Sequence, residues 1–178
     1  MGIEYRQKQG YSKVINAEQR MSNTIVLGIG NRLGGDDAAG TCVVDMLIQR
    51  RHRVKSLPTD DLMVIDAGSA PEGYTSVIRQ HRPDLLILVD AADMGLSPGA
   101  LRIITPEQIN TLSFSTHHMP LSIFISYVNE FCGSILLVGV QPKQAQTGGR
   151  ISEVVRQSVN ILAEAILEGR IAEIPRLE

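Results

Sequence analysis

Two adjacent aspartates follow a glycine-rich turn near the start of the chain. The segment GIGNRLGGDDAAG, residues 28–40, holds five glycines and comes directly after an apolar run at 25–27. Such a turn often holds a phosphate at the N-terminus of the next helix, but Asp36 and Asp37 would repel a pyrophosphate there. The third glycine after the strand is Gly34, which misses the G-x-G-x-x-G spacing. The pattern therefore disfavours a nucleotide-binding oxidoreductase and favours ionised carboxylates at the positive end of a helix.

Acidic residues also end the next two apolar runs. Asp66 lies in LMVIDAG and Asp90 lies in LLILVDA, so successive predicted strands end in acid. Ligands gather beyond the carboxyl ends of parallel strands. The segment FSTHHMPLS adds His117, a nitrogen donor. Asp37, Asp90 and a histidine, with Asp66 close by, would form an open site that suits zinc, nickel or iron better than calcium.

The same residues also have structural interpretations. Asp36 or Asp37 could cap the helix that follows, and we expect Asp36 mainly to cap and Asp37 mainly to bind metal. Asp66 could accept backbone N–H groups in its own turn, and His117 could be a satisfied surface residue. In an extended segment His118 would point away from His117, because successive side chains alternate between faces.

The elements that must position these residues alternate along the chain. Buried strands are predicted by the β-branched, apolar runs TIVLGIG, LMVIDAG, LLILVDA, ALRIIT and SILLVGV. Apolar residues recur at helical spacing from Ala39 to Leu47 and from Val155 to Ile166. Strands this apolar have no face suited to solvent, so the pattern predicts an α/β fold with a mainly parallel sheet that helices cover on both sides. The strand in LRIIT is expected at an edge of the sheet and antiparallel.

Composition bounds the class of protein. The 178 residues are 43% hydrophobic, which fits a single domain at 24–178 behind a polar extension at 1–23. A formal net charge of -2 gives no electrostatic footprint for nucleic-acid binding. Cys42 and Cys132 are too few for a disulfide framework and are expected on helices as structural thiols. No apolar stretch suits a membrane span or a signal peptide, so we expect a cytoplasmic protein without a membrane or nucleic-acid partner.

Five motifs, in order, resemble the maturation endopeptidases of nickel-iron hydrogenases. They are GIGNRLGGDDAAG, VIDAGSAPE, LILVDAADMGLSPGALRII, STHHMPLS and VGVQP, and the resemblance covers about residues 24 to 167. Asp37, where other branches have Glu, and the stretch DMGLSPG are most similar to the branch that serves formate-hydrogenlyase (hydrogenase 3) type enzymes. The resemblance implies a three-layer α/β/α sandwich.

The resemblance also implies a substrate and a ligand set. Members of the family remove a short C-terminal extension from the hydrogenase large-subunit precursor once nickel is installed. By motif, Asp37, Asp90 and His117 would contact nickel that is carried by the substrate and not tightly held by the free enzyme. The implied partners are the nickel-loaded precursor and other hydrogenase assembly factors.

Further roles are expected for residues at the strand ends. Asp37 or Asp90 would serve as the base, and Asp66 would either orient the water or Asp90, or stabilise its own turn. Contacts with the substrate are expected from Gly30, Asn31, Asp36, Gly68 and Gln141. A non-catalytic nickel-binding assembly chaperone could use the same three ligands without cutting, and it stands as the alternative.

Overall fold

The computed structural model describes residues 23–51, 61–114, 119–143 and 149–178. Its strands are β1 (Thr24–Ile29), β2 (Leu62–Gly68), β3 (Leu85–Asp93), β4 (Leu101–Ile104), β5 (Ser113–Phe114) and β6 (Ser134–Val140). Its helices are α1 (Ala39–Arg51), α2 (Thr75–His81), α3 (Pro106–Ile109), α4 (Leu121–Val128) and α5 (Glu153–Leu167). Apart from Asn23, the extension predicted at residues 1–23 lies outside the described residues.

The main sheet has the strand order β2-β1-β3-β6-β4. β1 pairs in parallel with both β2 and β3, and β3 pairs in parallel with β6. At one edge β4 runs antiparallel to β6, as predicted for LRIIT. The two-residue strand β5 adds an antiparallel pair with the end of β3. The prediction of a mainly parallel sheet with an antiparallel edge strand is confirmed.

Helices cover both faces of the sheet. Successive side chains of a strand point to opposite faces, and in this sheet both sets are apolar. Val26 of β1 belongs to an apolar cluster with residues of α1 and α5, which we call the α1/α5 face. Ile25 and Leu27 belong to a second cluster with residues of α2 and α4, which we call the α2/α4 face. The α/β fold, with helices on each side of the sheet, is confirmed.

Helix α1 approaches the sheet closely at two glycines. A Cβ atom added to Gly40 would lie 2.2 Å from the carbonyl oxygens of both Ile29 and Val89. One added to Gly28 would lie 2.3 Å from the carbonyl oxygen of Gly40. Because only glycine tolerates such contacts, these positions allow α1 to begin directly against the ends of β1 and β3. Asp37 lies two residues before this helix.

The two thiols lie in different kinds of segment. Cys42 lies on α1, as predicted, and is partly buried. Cys132 was predicted near the end of a helix, but α4 ends at Val128, so this thiol lies in the segment before β6. Among the described residues no helix is both long and apolar enough to cross a membrane.

Candidate active site

The sheet has a topological switch between β1 and β3. These strands are neighbours, yet α1, which follows β1, packs on one face, whereas α4, which lies beyond β3 in the chain, packs on the other. In open α/β sheets the divergence of the connections at such a point leaves a crevice beyond the carboxyl ends of the strands. Asp37 follows β1 and Asp90 lies near the end of β3, so both predicted acids belong to this crevice.

Asp37 lies in a short 3₁₀ turn, Asp36–Ala38, just ahead of α1. Its side chain is partly exposed. The backbone N–H of Asn31 donates a hydrogen bond to Asp37 Oδ2 over 3.2 Å. Among the described residues, the other oxygen, Oδ1, has no such partner. A carboxylate held at one oxygen and open at the other can bind a metal or accept a proton from water.

Gly30 allows the chain to pass closely over Asp37. Its φ is 141°, and an added Cβ atom would lie 2.0 Å from the carbonyl oxygen of Asp37. Its N–H donates to the carbonyl oxygen of Gly68 over 2.9 Å, which joins the ends of β1 and β2. Gly30 and Gly68, which were predicted to contact substrate, thus have a demonstrable backbone role in shaping the crevice.

Asp90 is fully buried, with 0% of its surface exposed. It pairs with Gly139 of β6 in the sheet register. Leu86 and Leu88 belong to the α2/α4 face, and alternation along the strand directs Asp90 to the same face. Asp90 therefore lies below the surface of the crevice, whereas Asp37 reaches that surface.

The structure does not bring Asp66 to Asp90. Asp66 lies on β2, which β1 separates from β3, and it shares the α1/α5 face with Leu62 and Val64. Its Oδ1 accepts the N–H of Gly68 over 3.0 Å. The expected orientation of Asp90 by Asp66 is therefore wrong in this geometry, and the turn interpretation of Asp66 is the one that its contacts support.

Arg32 holds Asp66 through its guanidinium group, a contact that the sequence did not predict. Its Nε donates to Asp66 Oδ2 over 2.8 Å. Its two terminal nitrogens donate to the two carboxylate oxygens of Asp45 on α1, over 2.8 and 2.9 Å. Hydrogen bonds to Asp45 and then to Asp66 raise the pKa of Arg32. The turn after β1 is thus fastened to α1 and β2, although no spacing rule relates these three residues in the sequence.

Asp36 is a structural carboxylate. Only 1% of its surface is exposed, and it does not cap its own turn. Oδ2 accepts the N–H of Lys143 and the hydroxyl of Ser152, each over 2.9 Å, and Oδ1 accepts the N–H of Ser152 over 2.6 Å. The prediction that Asp36 caps the helix is therefore wrong, and its predicted contact with substrate stays a prediction. Instead, Asp36 connects the turn before α1 to the residue that precedes α5.

Gln141 is likewise structural. It is 5% exposed, and its Oε1 accepts the N–H groups of Met94 and Leu96 over 2.7 and 3.2 Å. Its Nε2 donates to Asp93 Oδ1 over 3.1 Å. This hydrogen bond and the N–H of Gly95 lower the pKa of Asp93. Through these contacts Gln141 holds the loop after β3, and its predicted contact with substrate stays a prediction.

The histidine of the predicted ligand set lies outside the described residues. His117 and His118 fall between residues 114 and 119, so their distances to Asp37 and Asp90 are not given by the structure. Within the ranges that are described, no group of three or more His, Cys, Asp and Glu side chains is arranged to hold a metal ion. The described part of the crevice therefore contributes two carboxylates, one at its surface and one beneath.

These features define an α/β protein with an acidic site at the switch point of its sheet. The family described as hydrogenase maturation protease, HycI, matches residues 43–169, a range that includes Asp66, Asp90 and His117 and begins after Asp37. A hydrogenase maturation protease of Methanocaldococcus jannaschii is 36% identical over 155 residues, which cover 84% of this chain and 91% of that protein. The hydrogenase 3 maturation protease of Escherichia coli K12 is 40% identical over 119 residues, covering 66% of this chain and 72% of that protein.

Solved structures that resemble this chain belong to the same family as these relatives. The solution structure of the endopeptidase HycI from Escherichia coli has a TM-score of 0.77 and 31% identity, covering 88% of this chain and 97% of that one. The crystal structure of HycI from Thermococcus kodakarensis has a TM-score of 0.72 and 35% identity, covering 84% and 92%. The chain belongs to the hydrogenase maturation protease family and is an endopeptidase.

Proposed function

We propose that this endopeptidase removes the C-terminal extension of a nickel-iron hydrogenase large-subunit precursor after nickel has been inserted. The observation that carries the proposal is the placement of Asp37 and Asp90 at the switch point between β1 and β3, in a chain of this family. In open α/β sheets the crevice at such a switch point is where ligands bind, so we expect the precursor to bind there. Its acids provide the oxygen donors that metal-assisted hydrolysis needs.

Nickel enters this proposal as part of the substrate. Three protein ligands, Asp37, Asp90 and His117, would bind a free ion weakly compared with a closed cage of four cysteine or histidine ligands. A nickel ion already held by thiolates of the precursor could dock at the same residues through its remaining coordination positions. The metal would then act as a checkpoint, because only a precursor that carries it would be oriented for cleavage.

The partly exposed carboxylate of Asp37 suits the role of general base. Its Oδ1 can take a proton from a water molecule, whose oxygen then adds to the carbonyl carbon of the scissile peptide. The carbon–nitrogen bond breaks as Asp37 gives that proton to the leaving amine, which regenerates the carboxylate. Nickel beside the peptide would polarise the carbonyl or the water. Asp90, which is buried, suits the role of a fixed metal ligand. If Asp90 were the base and Asp37 the ligand, the overall hydrolysis would be the same.

The mass of the precursor before and after incubation tests the proposal. With wild-type enzyme we expect the nickel-loaded precursor to lose its C-terminal extension, while the nickel-free precursor keeps its full mass. Equal cleavage of both forms would contradict nickel recognition. Binding of the nickel-loaded precursor with no loss of mass would instead indicate an assembly chaperone.

A further inference from the structure

The turn formed by residues 31–34, between β1 and the acid pair, carries the most exposed large hydrophobic side chain among the described residues. Leu33 is 70% exposed, compared with 58% for Ile161 on α5. A single exposed leucine is ordinary on a protein surface. Two further properties distinguish Leu33: the backbone of its turn is held by several hydrogen bonds, and the turn lies beside a proposed catalytic carboxylate.

The turn is held in one conformation from several directions. Asn31 Oδ1 accepts the N–H of Leu33 over 3.0 Å, and the carbonyl oxygen of Asn31 accepts the N–H of Gly34 over 2.8 Å. Arg32 fastens the centre of the turn to Asp45 and Asp66 through its guanidinium group. A side chain presented on so constrained a backbone loses little further conformational freedom when it binds a partner.

The turn also packs directly on Asp37. The N–H of Asn31 donates to Asp37 Oδ2 over 3.2 Å, and a Cβ atom added to Gly34 would lie 2.7 Å from the Cβ atom of Asp37. Asn31 and Gly34, on either side of Leu33, therefore both lie against the proposed base. A second copy of the chain seated there would obstruct the crevice, whereas the substrate has to come to this place.

We propose that the turn at residues 31–34 is a docking surface for the precursor and that Leu33 packs against an apolar part of the precursor next to the scissile peptide. Arg32 is a positioning residue, which keeps the turn fixed while the precursor binds. This inference rests on the proposed function, because the precursor is the partner that the crevice would receive.

Steady-state cleavage of the nickel-loaded precursor by Leu33→Asp tests the docking surface. We expect KM to rise by about tenfold to a hundredfold, since the burial of a leucine is lost and a charge is added, while kcat at saturation stays near the wild-type value. The thermal midpoint should not fall, because Leu33 makes its contacts only in the complex. Ile161→Asp, an equally drastic change at an exposed position on α5, should leave KM unaltered.

An unchanged KM in Leu33→Asp would overturn the inference, and so would an equal rise in KM for Ile161→Asp. Direct binding of the nickel-loaded precursor separates this failure from failure of the proposed function. If wild-type enzyme binds the precursor but does not cut it, the proposed cleavage is wrong, while weaker binding by Leu33→Asp would still support the docking surface.

A double-mutant cycle tests the positioning role of Arg32. We expect Arg32→Gln to raise KM less than Leu33→Asp does, and the double variant to raise it by less than the product of the two single effects, because both act on one contact. Arg32→Lys should restore only part of the effect, since an ammonium group cannot reproduce the bidentate contact with Asp45. Fully independent effects on KM would contradict the role.

Discussion

Asp36 and Asp37 are adjacent in the chain, but their carboxylates have different surroundings. Asp36 is buried and accepts hydrogen bonds at both oxygens, whereas Asp37 is partly exposed and accepts one at Oδ2. The sequence predicted different roles for the two acids, a structural one for Asp36 and metal binding for Asp37. It could not reveal that Asp36 contacts residues more than a hundred positions away, because such contacts depend on how α5 returns to the sheet.

Replacement of Asp36 by asparagine should destabilise the fold. The amide retains one acceptor oxygen and places an NH₂ group where the carboxylate now accepts an N–H. The loss of charge-assisted hydrogen bonds to Lys143 and Ser152 should lower the free energy of unfolding by about 1–3 kcal/mol. Urea unfolding measures this change. A stability equal to that of the wild type would show that Asp36 does not connect the two helix starts.

The Cys132 thiol should be almost unreactive in the folded protein. Burial raises its pKa from 9.0 to about 12, so at pH 8 only roughly one thiol in ten thousand is ionised. We expect iodoacetamide to modify Cys132 far more slowly in the native state than in urea. Folding favours the protonated thiol, so this contribution to stability is complete below about pH 9 and is lost as the pH rises toward 12. Equal alkylation rates in the native and unfolded states would contradict the burial.

At the scale of elements, the sequence predicted the strands and helices that have a regular apolar pattern and missed the strand that is defined by its pairing with another strand. All five long strands and the helices α1 and α5 show regular apolar patterns, and each lies where it was predicted. The two-residue strand β5 has no pattern of its own, because its pairing with the end of β3 defines it. The expected contact of Asp66 with Asp90 fails for a related reason, since β1 lies between β2 and β3 and strand order decides which strand ends are neighbours.

The close contact between α1 and β1 predicts that alanine destabilises the fold at Gly40 but not at Gly73. In Gly40→Ala the new methyl group would meet carbonyl oxygens at 2.2 Å, so α1 must shift and the free energy of unfolding should fall by about 1–3 kcal/mol. Gly73→Ala is the control, because an added Cβ atom there has nothing within 4 Å. Thermal unfolding measures both. A Gly40→Ala variant as stable as Gly73→Ala would contradict the close approach.

At the scale of the whole molecule, topology brings residues that are far apart in the sequence to one edge of the sheet. Asp37 and Asp90 lie at the same edge of the sheet because β1 and β3 are adjacent and parallel. The sequence predicted this edge correctly, since the acids follow apolar strands that had to be parallel. The position of His117 relative to them stays a prediction, because it lies outside the described residues.

The most direct test of the proposed site is the rate at which Asp37→Asn shortens the nickel-loaded precursor, followed by intact mass. Asn at this position keeps an acceptor for the N–H of Asn31 but removes the anionic oxygen, so we expect a normal thermal midpoint and a cleavage rate lower by about a hundredfold or more. Asp93→Asn, which removes an exposed acid at the end of the same strand as Asp90, should cut at the wild-type rate. Near-normal cleavage by Asp37→Asn, or a loss of cleavage that accompanies unfolding, would show that Asp37 is a structural residue and that the site is wrongly assigned.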